Sequence, residues 1–147
     1  MNKKWLLLGS IGIGMLLLSK KKDKANAVRW HINILGASSS FNVPPGLIAA
    51  VIQKESSGNP DAFGYSNEYG LMQLLCSTAR DMGFSYDCKK LFDPAVNIYY
   101  GTKYLSFQYD RYGSWEKAIS AYNAGHYTET NREYVDSVIS LWKKQKI

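Results

Sequence analysis

Asn42-Val43-Pro44-Pro45-Gly46-Leu47-Ile48-Ala49-Ala50-Val51-Ile52-Gln53-Lys54-Glu55-Ser56-Ser57-Gly58-Asn59-Pro60 is the stretch on which the reading of this chain turns. The paired prolines suit a first helical turn, where a backbone N–H has no intrahelical partner to lose. Ser56-Ser57-Gly58-Asn59-Pro60 stops the helix, so the spacing predicts one over residues 42–55. Within it Leu47, Ile48, Val51 and Ile52 fall on one stripe. Glu55 lies one turn beyond Val51 and Ile52 and continues that apolar face. A carboxyl group there is either paired or partly desolvated. Desolvation raises its pKa and keeps it protonated near neutral pH, as a general acid requires. The same periodicity also suits an exposed residue on a fraying last turn.

Working outward, residues 28–147 read as mostly helical, with no sustained alternation that would mark a strand. The pattern predicts a loop up to Tyr69 and a second helix over 70–82, ended by Gly83. Asp93-Pro94 is a cap followed by a first-turn proline, opening a helix to about Tyr112. Ser114 caps the next, which ends at Asn123-Ala124-Gly125. The last covers 132–144, with Val135, Val138, Ile139 and Trp142 on one face. Five or six short helices make an all-α, compact domain of residues 28–147.

At 147 residues, 46% hydrophobic and 20% charged, the chain has one domain's length and enough apolar material for a core. That excludes a disordered tail and a repeat array. The net charge of +6 suggests nucleic acid until it is located. Lys3, Lys4, Lys20, Lys21, Lys22 and Lys24 against Asp23 place +5 of it in residues 1–27, leaving 12 basic and 11 acidic side chains elsewhere. No basic stripe on the folded domain is needed, and no nucleic-acid partner is expected.

Trp5 to Leu18 is an uncharged run, extended by Ser19, with lysines on both sides. It is short of the ~20 residues that span a typical bilayer but suits a signal-peptide core. Residues 1–27 are therefore read as an N-terminal hydrophobic segment, transmembrane or signal. In the signal reading Ala25-Asn26-Ala27 is the small-x-small cleavage site. In the anchor reading residues 5–19 hold the membrane and Ser10 and Gly14 allow close helix packing. A buried core helix fits poorly with the lysine flanks.

The segments that carry chemistry are weak singly and specific together. In order they are Glu55-Ser56-Ser57-x-Asn59-Pro60, Gly70-Leu71-Met72-Gln73, Ser77-Thr78-Ala79, Asp93-Pro94-x-x-Asn97-Ile98-x-x-Gly101-x-x-Tyr104-Leu105, Ala121-Tyr122-Asn123-Ala124-Gly125 and Tyr134-Val135. This series, over about residues 41–142, resembles the catalytic domain of the soluble lytic transglycosylases, whose fold is goose-lysozyme-like. The resemblance implies an enzyme that cleaves the β-1,4 bond between N-acetylmuramic acid and N-acetylglucosamine in peptidoglycan. The muramic 6-hydroxyl attacks in place of water and leaves a 1,6-anhydro end. It implies Glu55 as the single catalytic acid and base. Ser56 would support the carboxylate, Met72 and Gln73 would line the sugar groove, and Tyr122 and Asn123 would form its opposite wall. Tyr134 would approach the catalytic carboxyl.

That inventory is chemically coherent. Ordinary glycosidases pair two carboxylates across the bond, whereas a substrate hydroxyl acting as nucleophile needs only one. Glu68, Asp61 and Glu133 are candidate second carboxylates if the loops bring them close. Two departures stand out. Gly64 occupies the place, nine residues after the acid, where the family often has serine, and Leu75-Cys76 replaces the usual Met-Pro, a change expected to affect helix packing only.

An exported domain with an even cysteine count suits a Cys76–Cys88 disulfide; two reduced thiols are the alternative on the cytosolic side. Cysteine spacing and the two histidines, His31 and His126, do not suit zinc, and no cofactor or metal is expected. The expected partners are peptidoglycan glycan strands, the membrane through residues 5–19, and components of a secretion machine or a virion. The domain would then face the periplasm or cell wall, although four lysines after the apolar run and two before it lean toward the opposite orientation. Secretion after cleavage near Ala27, or a virion membrane, are the other locations. The rival functions are a muramidase that uses water on the same fold, a non-catalytic peptidoglycan-binding tether, and a membrane scaffold.

Overall fold

The computed structural model describes residues 30–146. The apolar run 5–19, the Ala25-Asn26-Ala27 motif and the whole segment 1–27 lie outside the described residues. A compact unit begins at Asn33. Helix α1 comprises residues 30–41. It is followed by α2 (Pro45–Ser56), strands β1 (Glu68–Tyr69) and β2 (Leu74–Leu75), and α3 (Cys76–Asp81). A 3-10 turn (Cys88–Phe92), α4 (Pro94–Tyr112), α5 (Trp115–Ala124), a second 3-10 turn (Glu129–Asn131) and α6 (Arg132–Lys143) complete the order. No helix among the described residues is long and apolar enough to cross a membrane.

Helix α2 is the axis of the unit. Proline at its start costs no hydrogen bond, and Ser57 in the left-handed region (φ 51°) ends it. Gly46, Leu47, Ile48, Ala50, Val51 and Ile52 are all buried, more of the circumference than a single surface stripe. Each large aliphatic side chain fully buried there is worth roughly 1.5–3 kcal/mol. Helix α6 packs on α2 with Val135 and Val138 inward. A Cβ on Gly46 would stand 3.2 Å from both Trp142 and Gln145, so the two chains approach closely at that point.

The remaining helices start and stop where their caps predict. The Asp93 carboxylate accepts from the N–H of Ala95 and Val96 ahead of Pro94, at 3.0 and 3.4 Å. Gly113 turns left-handed to end α4 (φ 73°). Ser114 Oγ accepts from Lys117 N to start α5, and Gly125 ends it in the same left-handed region (φ 79°). Helices α4 and α5, joined by the short Gly113-Ser114 link, pack on each other.

Residues 70–75 depart from the expected helix over 70–82. Only Cys76–Asp81 is helical; residues 68–75 form a two-stranded antiparallel ribbon that pairs Glu68 with Leu75 and Tyr69 with Leu74. Gly70 (φ 70°) and Gln73 (φ 45°) are both left-handed, which a right-handed helix cannot accommodate. The domain is therefore helical with one short ribbon rather than purely all-α. Helix α1 is a further element, one for which no bounds followed from the pattern.

Side chains from three helices hold this turn in place. Asn97 Oδ1 accepts from Met72 N (2.8 Å), and its Nδ2 donates to Tyr69 O (2.7 Å) and Leu91 O (2.8 Å). Ser56 Oγ lies 2.7 Å from Leu71 O, and Tyr122 Oη donates to Met72 O at 2.8 Å. Gly70 has no room for a side chain, because a Cβ would meet both Asn97 Nδ2 and Leu91 O at 2.7 Å. Cys76 and Cys88 form a disulfide between the start of α3 and the first 3-10 turn.

Asn97 is fully buried, so its replacement strands three backbone groups. Each buried polar group left without a partner costs roughly 1–3 kcal/mol. Asn97→Ala is expected to lower unfolding stability by at least about 3 kcal/mol in urea, with the disulfide intact. Asn97→Asp, which sets a buried carboxylate oxygen against the Tyr69 and Leu91 carbonyls, should cost at least as much at neutral pH. A loss below about 1 kcal/mol for the alanine variant would mean that the turn holds itself.

Candidate functional site

Glu55 sits in the last turn of α2, half-buried, beside a cleft of about 450 Å³. One wall is the loop and ribbon, through Gly64, Tyr65, Glu68, Gln73, Leu74 and Leu75. The facing wall is the C-terminal end of α5, through Tyr122, Asn123, Ala124 and Gly125. Thr78 of α3 and Tyr104 of α4 complete the lining.

Burial is the main influence on the Glu55 carboxyl and raises its pKa above the usual carboxylate range. The negative charge of Glu68 pushes the same way. Opposing them, Tyr134 donates a hydrogen bond to Glu55 Oε1, and the Lys54 ammonium lies nearby. Tyr134 is itself pushed well up, first by burial and then by the Glu55 charge, so its hydroxyl stays protonated and remains a donor. The net result is a carboxyl that holds a proton more tightly than an exposed one, with one oxygen fixed by Tyr134 and the other free to deliver that proton. Lys54 Nζ also stands over the Tyr134 ring, 5.8 Å from its centroid.

The other expected site residues divide. Gln73 faces the cleft, with Nε2 donating to Ala62 O (3.2 Å) and Gly70 O (2.9 Å). Asn123 is exposed on the facing wall, and its Oδ1 accepts from Asn131 Nδ2 at 3.1 Å. That bond turns the Asn123 amide N–H₂ outward as a donor. Tyr122 lines the cleft but is 8% exposed, and its hydroxyl is committed to Met72 O. Met72 and Ser56 are placed differently from expectation. The Met72 side chain is fully buried against Gly101, where a Cβ would stand 2.6 Å from its sulfur, and it does not line the cleft. The Ser56 hydroxyl is taken up by carbonyls, Leu71 O at 2.7 Å and Ile52 O at 3.1 Å, and so pins the turn.

Three cleft features escaped the sequence reading or were left open by it. Leu75 is exposed into the cleft, so the Leu75-Cys76 departure touches the site as well as packing. Glu68 is the one of the three candidate second carboxylates that lines the cleft; Asp61 and Glu133 are exposed away from that lining. Asn131, which orients Asn123, carried no sequence signal beyond its place before α6.

The family model described as the transglycosylase SLT domain matches residues 32–138. The chain belongs to this family. A transglycosylase of Enterobacteria phage PRD1 is 40% identical over 101 residues, 69% of this chain and 37% of that protein. The membrane-bound lytic murein transglycosylase E of Buchnera aphidicola is 36% identical over 97 residues, 61% of this chain and 44% of that one. The chain thus spans less than half the length of these two relatives. Among solved structures, the inactive mutant of lytic transglycosylase Slt from Pseudomonas aeruginosa superposes with a TM-score of 0.68 at 26% identity, over 76% of this chain and 23% of that one. The soluble lytic transglycosylase of Escherichia coli gives 0.60 at 26% identity, over 74% and 18%. The SLT fold therefore accounts for the described unit.

A raised carboxyl pKa has a sign that stability can read. Below the ordinary value of 4.5 both folded and unfolded states hold the Glu55 proton. As pH rises the unfolded chain releases it first, so folding stability falls until the raised folded pKa is passed. Glu55→Gln removes that penalty. The variant is expected to melt higher than the parent at pH 7–8 and to match it near pH 4 in calorimetric scans. Tyr134→Phe should widen the gap at neutral pH, since it removes the bond that favours the charged form.

Proposed function

We propose that this chain is a peptidoglycan lytic transglycosylase with Glu55 as its only proton-transfer group. The observation that supports the reading is a half-buried carboxyl of raised pKa, held by Tyr134, opening on a cleft in a fold of the SLT family. Protonated Glu55 donates to the glycosidic oxygen between N-acetylmuramic acid and N-acetylglucosamine, and the bond from that oxygen to the anomeric carbon breaks. The carboxylate left behind takes the proton of the muramic 6-hydroxyl as that oxygen bonds to the anomeric carbon. The products are a free 4-hydroxyl on one fragment and a 1,6-anhydro ring on the other, and Glu55 is protonated again.

Hydrolysis is the second reading, and Glu68 in the same cleft is the observation that favours it. Two carboxylates can divide the work of acid and water-activating base. The biological setting we infer is local opening of the cell wall, with residues 5–19 associating with a membrane and the catalytic unit facing the periplasm or wall. The phage PRD1 relative and the membrane-bound Buchnera relative support that setting. A virion or a secretion machine would supply the machinery it serves.

Purified protein and its Glu55→Gln variant, incubated with peptidoglycan, settle the chemistry through mass spectrometry of the soluble fragments. The parent is expected to release 1,6-anhydromuramic ends, and the variant to be slower by roughly 10²–10⁴-fold. Reducing ends from the parent would replace the lyase with the hydrolase. Binding without any product would leave a wall tether.

A further inference from the structure

A second cavity, of about 480 Å³, shares no lining residue with the Glu55 cleft. The loop after α5 serves both: Asn123, Ala124 and Gly125 line the cleft, and Tyr127, Thr128 and Glu129 line the cavity. The two adjoin across one side chain. Asn131 Nδ2 donates to Ser120 O at the cavity and to Asn123 Oδ1 at the cleft, each at 3.1 Å. The wall between them is fastened from within. Ser120 Oγ donates to Thr128 O (2.9 Å) and accepts from Thr128 N (3.3 Å), and Tyr127 N donates to Tyr112 Oη (3.1 Å). Four exposed charges surround the cavity: Glu116 and Lys117 from α5, Glu129 from the 3-10 turn and Arg132 from α6. No ion pair joins them; among the described residues the one ion pair within 4.0 Å is Lys90–Asp93. Lys117 Nζ stands instead over the exposed Tyr127 ring, 5.4 Å from its centroid. A fixed concave surface thus offers both signs of charge, an aromatic face and the buried Val135 to a ligand.

We propose that this cavity is a subsite for the peptide stem that muramic acid carries, with Lys117 and Arg132 taking stem carboxylates and Glu116 and Glu129 the free ammonium of a diamino residue. The proposal rests on the peptidoglycan reading above and adds a second site to it. The mixture of charges selects the ligand class. A polyanion would meet Glu116 and Glu129, and a bare glycan would leave all four charges unused. A short peptide with carboxylates and an ammonium uses both signs. Position selects it too, since Ser120 and Asn123 lie three residues apart on α5, about 4.5 Å along the axis. A stem leaving a muramic residue in the cleft passes Asn123 and reaches the cavity directly. Exposed charges bind a free ion weakly, but a stem tethered to a glycan already in the cleft arrives at high effective concentration, so modest contacts register in affinity.

The test compares two soluble substrates, uncross-linked glycan strands with their stems and the same strands stripped of stems by an amidase. The parent is expected to prefer the stem-bearing strands, by a margin that shrinks as salt screens the exposed charges. In the Lys117→Ala/Arg132→Ala double variant that preference should fall about tenfold, through a higher KM with kcat held, while stripped strands are cleaved as by the parent. Lys117→Arg should retain most of it. If the double variant melts early, either single alanine carries the test at about threefold. An equal loss on both substrates would mark the two cations as structural and overturn the proposal. So would a parent that cleaves both substrates alike, or variants that keep the preference, and in either case the peptidoglycan reading stands. A parent that cleaves neither substrate would sink both readings together.

Discussion

The turn at residues 69–73 is the constraint on which the rest depends. It is an irregular backbone segment inside a helical unit, and irregular backbone can be buried only if its polar groups find partners. Here Tyr69 O and Met72 N go to Asn97, Leu71 O to Ser56 and Met72 O to Tyr122, while Gly70 O accepts from the turn's own Gln73. Helices α2, α4 and α5 each contribute a side chain, so their relative positions are set by one short stretch of main chain. The chemistry inherits that rigidity. Ser56 neighbours Glu55, Tyr122 lines the cleft and Gln73 belongs to the turn, so the same bonds that fasten the helices also fix the acid against the cleft wall.

Glu55 is tolerated at the end of an apolar helix because its cost is divided. Full ionisation there would leave a desolvated charge, and full neutrality would leave a carboxyl unable to accept a proton back in the second half of a reaction. Burial and the Glu68 charge favour the protonated form; the Tyr134 hydroxyl and Lys54 favour the ionised one. Opposed influences of this kind keep the carboxyl from either extreme, which suits the acid-then-base role proposed for it. Tyr134 remains a donor to that carboxyl because its own proton is held firmly by the same burial.

How far the sequence could be read depended on whether the signal was local. Helix α2 and the position of Glu55 were legible from a prolyl start, a Ser-Gly stop and apolar spacing in between. Helices α4 and α5 were legible from Asp93-Pro94 and Ser114, whose caps act on residues next to them. Residues 70–75 misled because Leu71, Met72, Leu74 and Leu75 look like helical core. The left-handed Gln73 that breaks the pattern has no mark of its own, since the distant Asn97 and Tyr122 that hold the neighbouring Met72 main chain help to fix that conformation. The same limit applies to Tyr134. Its bond to Glu55 spans 79 residues, and periodicity carries no information across that distance. Family resemblance pointed to it; local pattern could not. For Met72 the resemblance pointed toward the groove, yet packing against Gly101 takes the side chain into the core and leaves only its main chain near the site.

Gly64 and Glu68 are best understood as one exchange. Where the related domains often carry a serine, this chain has no side chain at all, and the vacated space is filled from four residues further along by a carboxylate. A charged acceptor thereby lines the cleft beside Gly64. It places a negative charge where Glu55 feels it. That charge raises the affinity of Glu55 for its proton, in the direction that burial already sets. The glycine is what makes that influence sterically feasible: any larger residue at position 64 would evict the carboxylate from its place and weaken its effect on Glu55.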